Sequence, residues 1–293
     1  MAKNMPQLVD LHTHSTASDG SLPPREVVRL AKARGLTAIA LTDHDTIEGL
    51  AEAVAAGQEL GLEVIPGVEI SARHPRGSMH ILGYFLDWQS PLLAQRLAVL
   101  QQARADRNPQ IIAKLNALGI PLTLAQVEAV SGGGQVGRPH IARALWEAGY
   151  VGSIQEAFDI YLGNDGKAYV SKFRFPPAEA IAMIREAGGV AVLAHPFTLN
   201  PADVAELRAL LAELTALGLA GVECYYPEHT PEQEALYLAL AREFNLAVSG
   251  GSDFHGDNKP EVELGRVSIQ AKLTYDLVAG LKARRIAQLS SPA

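Results

Sequence analysis

The sequence predicts an α/β fold in which seven strands form a mostly parallel sheet, closed or nearly closed into a barrel or left open and doubly wound. Three observations predict it. Short apolar runs alternate with longer stretches of helical periodicity, the pattern of a parallel sheet buried on both faces. One long stretch, from about 92 to 166, is helical throughout and interrupts that alternation. Histidines and carboxylates recur next to the apolar runs, most of them just beyond the ends, and the C-terminal ends of the strands carry the chemistry in parallel barrels.

The expected strands, in order, are 8–11, 37–41, 62–70, 79–86, 190–194, 220–225 and 246–249. Between them the periodicity gives helices over 24–34, 46–60 and 230–244, further helices on either side of the fifth strand, and a closing helix over 275–287. Their starts are marked by Pro23-Pro24, Thr46 with Glu48, Pro177 with Glu179, and Thr230-Pro231-Glu232. The helical stretch divides at Gly119-Ile120-Pro121 and at Ser131 to Gly134, giving helices over 96–118, 123–130, 139–148 and 153–162. It is expected to form an insertion over 99–169 covering one end of a barrel built from 1–98 and 170–293.

Composition narrows the function. With 25 Lys+Arg against 32 Asp+Glu, the formal charge of -7 argues against broad binding to duplex nucleic acid. It leaves room for a local basic pocket, and the insertion region supplies Arg96, Arg104, Arg107, Lys114, Arg138, Arg143 and Lys167. The single Cys224 excludes an internal disulfide and a Cys-based zinc finger. No apolar run approaches the roughly 18 residues of a membrane helix. Met1 to Pro6 leads straight into the first strand without a signal-like segment, so a cytoplasmic protein without a membrane partner is expected.

The placement of nine histidines is the strongest signal. His12 and His14 follow the first apolar run, His44 the second, His195 the fifth, and Asp253 with His255 the seventh. Glu69 ends the third, His80 opens the fourth, and Asp19 lies in the loop after the first. Residues two apart on an extended segment point to one side, so His12/His14 and Asp253/His255 can each aim a pair at one point. Imidazole and carboxylate donors without thiolate suit Zn, Mn or Fe. Six histidines and three carboxylates exceed the needs of one ion, so two or three divalent ions are expected, with Glu69 bridging.

The runs Asp10 to Ser15, Leu41 to Asp45, Gly67 to Ser71, Ala194 to Pro196 and Gly251 to His255 resemble the successive motifs of the polymerase and histidinol phosphatase (PHP) family over residues 7–98 and 170–290. The resemblance implies a distorted, TIM-like seven-stranded βα barrel hydrolysing phosphoesters with two or three metal ions. It also implies the ligand sets: His12, His14, Glu69 and Asp253 for one ion; Asp19, His44 and His255 for another; Glu69 again, with His80 and His195, for a third. Asp253, His195 and Glu69 are the expected catalytic residues. The segment Gly137 to Ala142 looks like the subgroup of 3',5'-nucleoside bisphosphate phosphatases, members of which also trim short 5'-phosphorylated RNA. Manganese is the expected metal, with Zn, Mg or Fe as alternatives.

A metal-bridging hydroxide would attack the reacting phosphate in line, and the ions would offset charge on its oxygens. A second phosphate needs its own receptor. Arg138 and His140 at a helix start, Arg104 and Arg107 on one helix face, Asn108 beside them, and Lys167 are the expected contacts, with Lys172 a further candidate. Asp10, Asp43, Asp45 and Glu223 are expected to orient ligands. Trp88 and Trp146 are expected in the core or at a domain interface, and His74 in solvent. His229 is expected either to cap the helix after the sixth strand or to touch substrate. Competing readings are a 5'-to-3' exoribonuclease on short 5'-phosphorylated oligonucleotides, a histidinol-phosphate-type phosphatase, an amide or lactone hydrolase, and a metal-stabilised interaction module.

Overall fold

Seven strands lie in sequence order: β1 (Leu8–Thr13), β2 (Leu36–Leu41), β3 (Glu63–Ala72), β4 (Met79–Tyr84), β5 (Val190–Leu193), β6 (Gly221–Tyr225) and β7 (Ala247–Gly250). This is a computed structural model, and it describes residues 7–267 and 273–290. The segment Met1 to Pro6, on which the expectation about a leader rests, lies outside them.

The ring closes just past β7. Asp253 N–H donates to the His12 carbonyl and His14 N–H to that of Phe254, both at 2.9 Å, and Thr13 bridges Phe254 in parallel. Asp10 bolts this seam: its carboxylate accepts from the backbone and hydroxyl of Ser252 and from the N–H of Gly265. At Gly251 any Cβ would sit 2.3 Å from the His12 backbone nitrogen, so the seam needs a glycine there. These contacts exclude the open doubly wound sheet.

The sheet is more mixed than expected. β4 runs antiparallel to both β3 and β5, while the other pairs are parallel. Apolar periodicity reports burial and carries no strand direction. The reversal brings His80, near the start of β4, to the same end of the barrel as the residues that finish the other strands.

Alternation along the strands builds two layers. Val9, Leu11, Ala38, Ala40, Leu82, Tyr84 and Val192 fall in one cluster, in which the Tyr84 hydroxyl donates to the Leu11 carbonyl at 2.9 Å. The intervening Ile39 and Leu41 pack with helices α1 (Pro24–Ala33) and α2 (Leu50–Leu60). Ile70, Ile81 and Leu193 pack with α3 (Pro91–Ala117) and with later helices. α2 starts at Leu50 rather than Thr46, because Asp45 takes a left-handed φ of 54° and the chain passes through a turn at 48–49 before the helix. α3 begins earlier than expected, where Ser90 caps the N–H of Leu93, and continues through Pro109.

After α3 come α4 (Leu124–Ser131), α5 (Arg138–Glu147) and α6 (Ile154–Ala157). The last helix was expected to run on to residue 162. Phe158–Leu162 instead forms a single π turn. Ile111, Leu115, Val127, Ile141, Leu145 and Leu162 make a cluster separate from the barrel cores. The chain returns through α7 (Pro177–Glu186), α8 (Val204–Ala216), α9 (Pro231–Glu243) and α10 (Tyr275–Ser290). Among the described residues no helix is long and apolar enough to cross a membrane.

Candidate metal centre

One end of the barrel gathers the nine ligand candidates around Glu69, which β3 buries almost completely. The two Glu69 oxygens face different neighbours. Oε1 lies 2.6 Å from His80 Nδ1 and 3.0 Å from His195 Nε2. Oε2 lies 3.0 Å from His44 Nδ1, 3.2 Å from His12 Nε2 and 3.3 Å from His14 Nε2. Asp253 Oδ1 stands 3.3 Å from His12 Nε2 and 3.1 Å from His14 Nε2. Asp19 Oδ1 stands 3.3 Å from His255 Nε2.

Three sets of donor atoms each lie within 4.8 Å of one another: His12, His14, Glu69 and Asp253; His14, Asp19, His44 and His255; and His44, Glu69 and His80. His14 thus faces two sets. His195 stands outside the third, although its ring nitrogen touches Glu69.

The set fits divalent cations. Every donor is an imidazole nitrogen or a carboxylate oxygen, and His14 Nε2 and His44 Nδ1 are buried without a hydrogen-bond partner. The outward nitrogens of three of the rings are already committed. His12 Nδ1 donates to Glu223 at 3.0 Å, His195 Nδ1 to Thr198 Oγ1 at 3.0 Å and His255 Nδ1 to the Asp253 carbonyl at 2.8 Å. Those bonds assign the tautomer that leaves each Nε2 lone pair facing inward. Tyr226 donates to Asp253 Oδ2 at 2.7 Å, which leaves Oδ1 towards the rings. His195 and Asp253 hold left-handed φ values of 22° and 55°, strain that a non-glycine residue keeps only under tight surroundings.

Electrostatics follow the crowding. Burial alone would raise the Glu69 pKa, but His44, His80 and His12 hold it well below the carboxylate range. Asp253 is lowered likewise by His255, Lys259 and His12 against its burial. Burial pushes His44 down to about 3 despite Glu69 and Asp19. Burial opposes charge on His14 too, yet bonds to Asp253 and Glu69 push it up to about 10.

A small cavity of about 180 Å³ adjoins the centre at Asp19, His44 and His80. Arg104, Arg107, Arg138, Lys172 and Arg174 wall it. Asp45 anchors two of these, accepting from Arg104 at 2.8 Å and from Lys172 at 2.9 Å. Arg138 donates to the Leu162 carbonyl at 2.9 Å and lies 5.9 Å from the rings of both Phe158 and Tyr169, so the π turn fixes its direction. Burial, then Arg104, pulls Lys172 down to about 7 against Asp45. Burial with Arg104, Arg138 and Arg174 pulls Arg107 down to about 8. A second space of about 1050 Å³ meets the centre at Asp253 and His255 and shares Asp19, His44, Pro139 and Phe158 with the first.

The expected phosphate contacts divide. Arg104, Arg107 and Arg138 line the small cavity. His140 is fully buried and does not line it: its Nδ1 accepts the Gly137 N–H at 3.0 Å, closing the start of α5. Asn108 stands behind, accepting from Arg107 and donating to the Val136 carbonyl. Lys167 is exposed and lines neither space. Asp10 and Asp45 touch no ligand ring, whereas Asp43 reaches His14 through Ser18. His229 is buried against Phe197, Tyr226 and Tyr237, and Trp146, expected in the core or at a domain interface, is 46% exposed.

Sequence reasoning missed Arg174, although Lys172 and Arg174 carry the same two-residue spacing that marked the histidine pairs. It missed Thr198, which passes its own proton to the Ser78 carbonyl and so can only accept from His195. It also missed Tyr226 and Lys259 as partners of Asp253, for which no local pattern exists.

Comparison with known proteins agrees with this geometry. The PHP domain model matches residues 10–185. A 5'-3' exoribonuclease of Haemophilus influenzae is 39% identical over 251 residues, covering 86% of this chain and 91% of that protein. A 3',5'-nucleoside bisphosphate phosphatase of Chromobacterium violaceum is 33% identical over 277 residues, covering 94% and 97%. A solved structure of a proposed metal-dependent phosphoesterase from Bifidobacterium adolescentis superposes with a TM-score of 0.84 at 33% identity, covering 96% of this chain and 98% of the other.

Proposed function

The chain belongs to the PHP-domain family of metal-dependent phosphoesterases, and from that premise we propose that it removes the 3'-phosphate from nucleoside 3',5'-bisphosphates, leaving the 5'-monophosphate. The observation that carries this reading is the small cavity of five cationic side chains beside the metal centre. One phosphate sits among Arg104, Arg107, Arg138, Lys172 and Arg174, and the other then reaches the nine ligands. An amide or lactone hydrolase has no use for a second anion receptor, and an amine-bearing phosphate ester would meet cations where it needs an acid.

Divalent ions at such a centre supply an acidified water and neutralise the phosphoryl oxygens. His12, His14, Asp19, His44, Glu69, His80, His195, Asp253 and His255 would hold two or three such ions, manganese first among them. The chain's own residues do the rest. Glu69 spaces the ligand sets through its two oxygens, and Tyr226 and Lys259 hold Asp253 in one rotamer. Thr198 and Glu223 fix the ring faces of His195 and His12. The water oxygen joins phosphorus, the P–O3' bond breaks, and O3' takes up a proton. Remote binding of the 5'-phosphate aligns that displacement. In this division 1–98 and 170–293 supply the chemistry and 99–169 covers it and selects substrate. The setting is cytoplasmic, without duplex DNA or membrane.

Trimming of short 5'-phosphorylated RNA breaks the same P–O3' bond, and the larger space beside Asp253 and His255 favours it as a second activity. The test is phosphate release from a 3',5'-bisphosphate, a 3'-monophosphate and a 5'-monophosphate, each with Mn, Mg and Zn. The bisphosphate should lead by at least about tenfold in kcat/KM, the worth of one charge-assisted bidentate contact. Equal rates on the bisphosphate and the 3'-monophosphate would remove the receptor from the account.

A further inference from the structure

The groove of about 1050 Å³ is far larger than a reacting phosphate needs, and it exceeds the roughly 300–1,000 Å³ of most small-molecule sites. Trp146 lines it and is 46% exposed; among the described residues it is the only large apolar side chain of that exposure in the groove. It stands on α5 eight residues after Arg138, which lines the 5'-phosphate cavity. At ~1.5 Å per residue the helix carries Trp146 about 12 Å further along. The helix thus acts as a ruler. One end lines the small cationic cavity and the other the large groove, and the two spaces meet at Asp19 and His44 of the candidate metal centre. Between them Arg143 donates to Asn258 Oδ1 at 3.0 Å, and Asn258 donates to the Asp19 carbonyl at 2.8 Å, which ties this wall to the metal centre.

We propose that Trp146 is the stacking platform for the base of the nucleotide on the 3' side of the scissile phosphate, so that the groove is a one-nucleotide subsite for short 5'-phosphorylated oligonucleotides. The inference rests on the function proposed above. Aromatic faces bind bases of any sequence, which suits a single strand. Exposed Asp257 and Glu261 line the same groove, while its Glu147 is paired with Arg143 and its Lys259 with Glu228 and Asp253. The first two carboxylates, without an ion pair among the described residues, disfavour further phosphates and keep the subsite short. The water oxygen joins phosphorus, the P–O3' bond breaks, and O3' takes the proton. The phosphate stays on the 5'-oxygen of the downstream nucleotide, so the products are a 5'-mononucleotide and a 5'-phosphorylated remainder.

The test compares adenosine 3',5'-bisphosphate with a 5'-phosphorylated dinucleotide in the metal-loaded wild type, Trp146→Ala and Trp146→Phe. Trp146→Ala should lower kcat/KM on the dinucleotide about tenfold more than on the bisphosphate. Trp146→Phe should restore most of the difference, because it keeps an aromatic face. An equal loss on both substrates would place Trp146 at the first nucleoside or in the fold and overturn the subsite. A wild type that hydrolyses the bisphosphate but not the dinucleotide would overturn it too, and leave the proposed function standing. Hydrolysis of neither would overturn both.

Discussion

Replacing Glu223 by Gln should weaken metal binding without removing a metal ligand. Glu223 is fully buried and both its oxygens are committed, Oε1 to His12 Nδ1–H at 3.0 Å and Oε2 to the His195 backbone N–H at 2.8 Å. Gln keeps the shape but turns one acceptor into a donor. If the amide nitrogen faces His12, the ring keeps a donor–donor clash or flips its proton to Nε2, away from Glu223 and into the centre. If it faces His195, a buried N–H is left unpaired beside a residue already strained at φ 22°. One unpaired buried donor costs about 1–3 kcal/mol. Loss of such an orienting carboxylate typically costs about ten- to a hundredfold in metal affinity. Calorimetric titration of metal-stripped protein with Mn should show that drop, and excess Mn should restore most of kcat, because Glu223 itself binds no ion in this account. An affinity within twofold of wild type would refute the reasoning. So would a kcat that stays low at saturating metal.

Two further outcomes follow from the cationic cavity. Arg138→Ala should cut kcat/KM for the bisphosphate about ten- to a hundredfold while barely touching an aryl phosphate, which has no second phosphate to lose; equal loss on both would move Arg138 to the reacting phosphate or to the fold. Lys172, drawn from an ordinary 10.5 down to about 7, carries its charge below that pH and loses it above, so preference for the bisphosphate over the aryl phosphate should fall as pH rises through 7. Because the folded chain then binds fewer protons than the unfolded one, Lys172 also makes stability rise between pH 7 and 10.5. In Lys172→Met both the preference and that part of the stability profile should flatten, and an unchanged profile would count against Lys172 as the group responsible.

The clustering of the nine candidate ligands was legible because few roles need an imidazole or a carboxylate beside strand after strand, and the two-residue spacing of His12/His14 survives in the fold as a shared direction. The reversal of β4 was not, since burial periodicity is the same in either direction. Arg104, Arg107 and Arg138 were legible as a basic excess, yet Lys167 belonged to the same excess and faces solvent. What separates them is the π turn at Phe158 and the buried Asp45, tertiary features with no local signature. His140 was read as a phosphate contact because it follows a glycine-rich loop; the same position lets its ring close the helix start. Trp146 was read as a core or domain-interface residue because large aromatics usually are. It is 46% exposed in a groove lined from both the helical stretch and the barrel, so the interface half of that reading is the nearer one.

The closed ring and the β3–β4 pairing set an order of assembly. Glu69 and His80 share one hairpin, so their 2.6 Å approach needs only a short loop to form. His12 meets Asp253 only when the first strand finds the end of the last, after almost the whole chain has been made. Contacts so distant in sequence form late, because the intervening chain must order first. A chain emerging from the ribosome therefore offers incoming ions partial sites for most of its synthesis. The complete candidate donor set is assembled only once the segment just past the seventh strand, with Asp253 and His255, is in place.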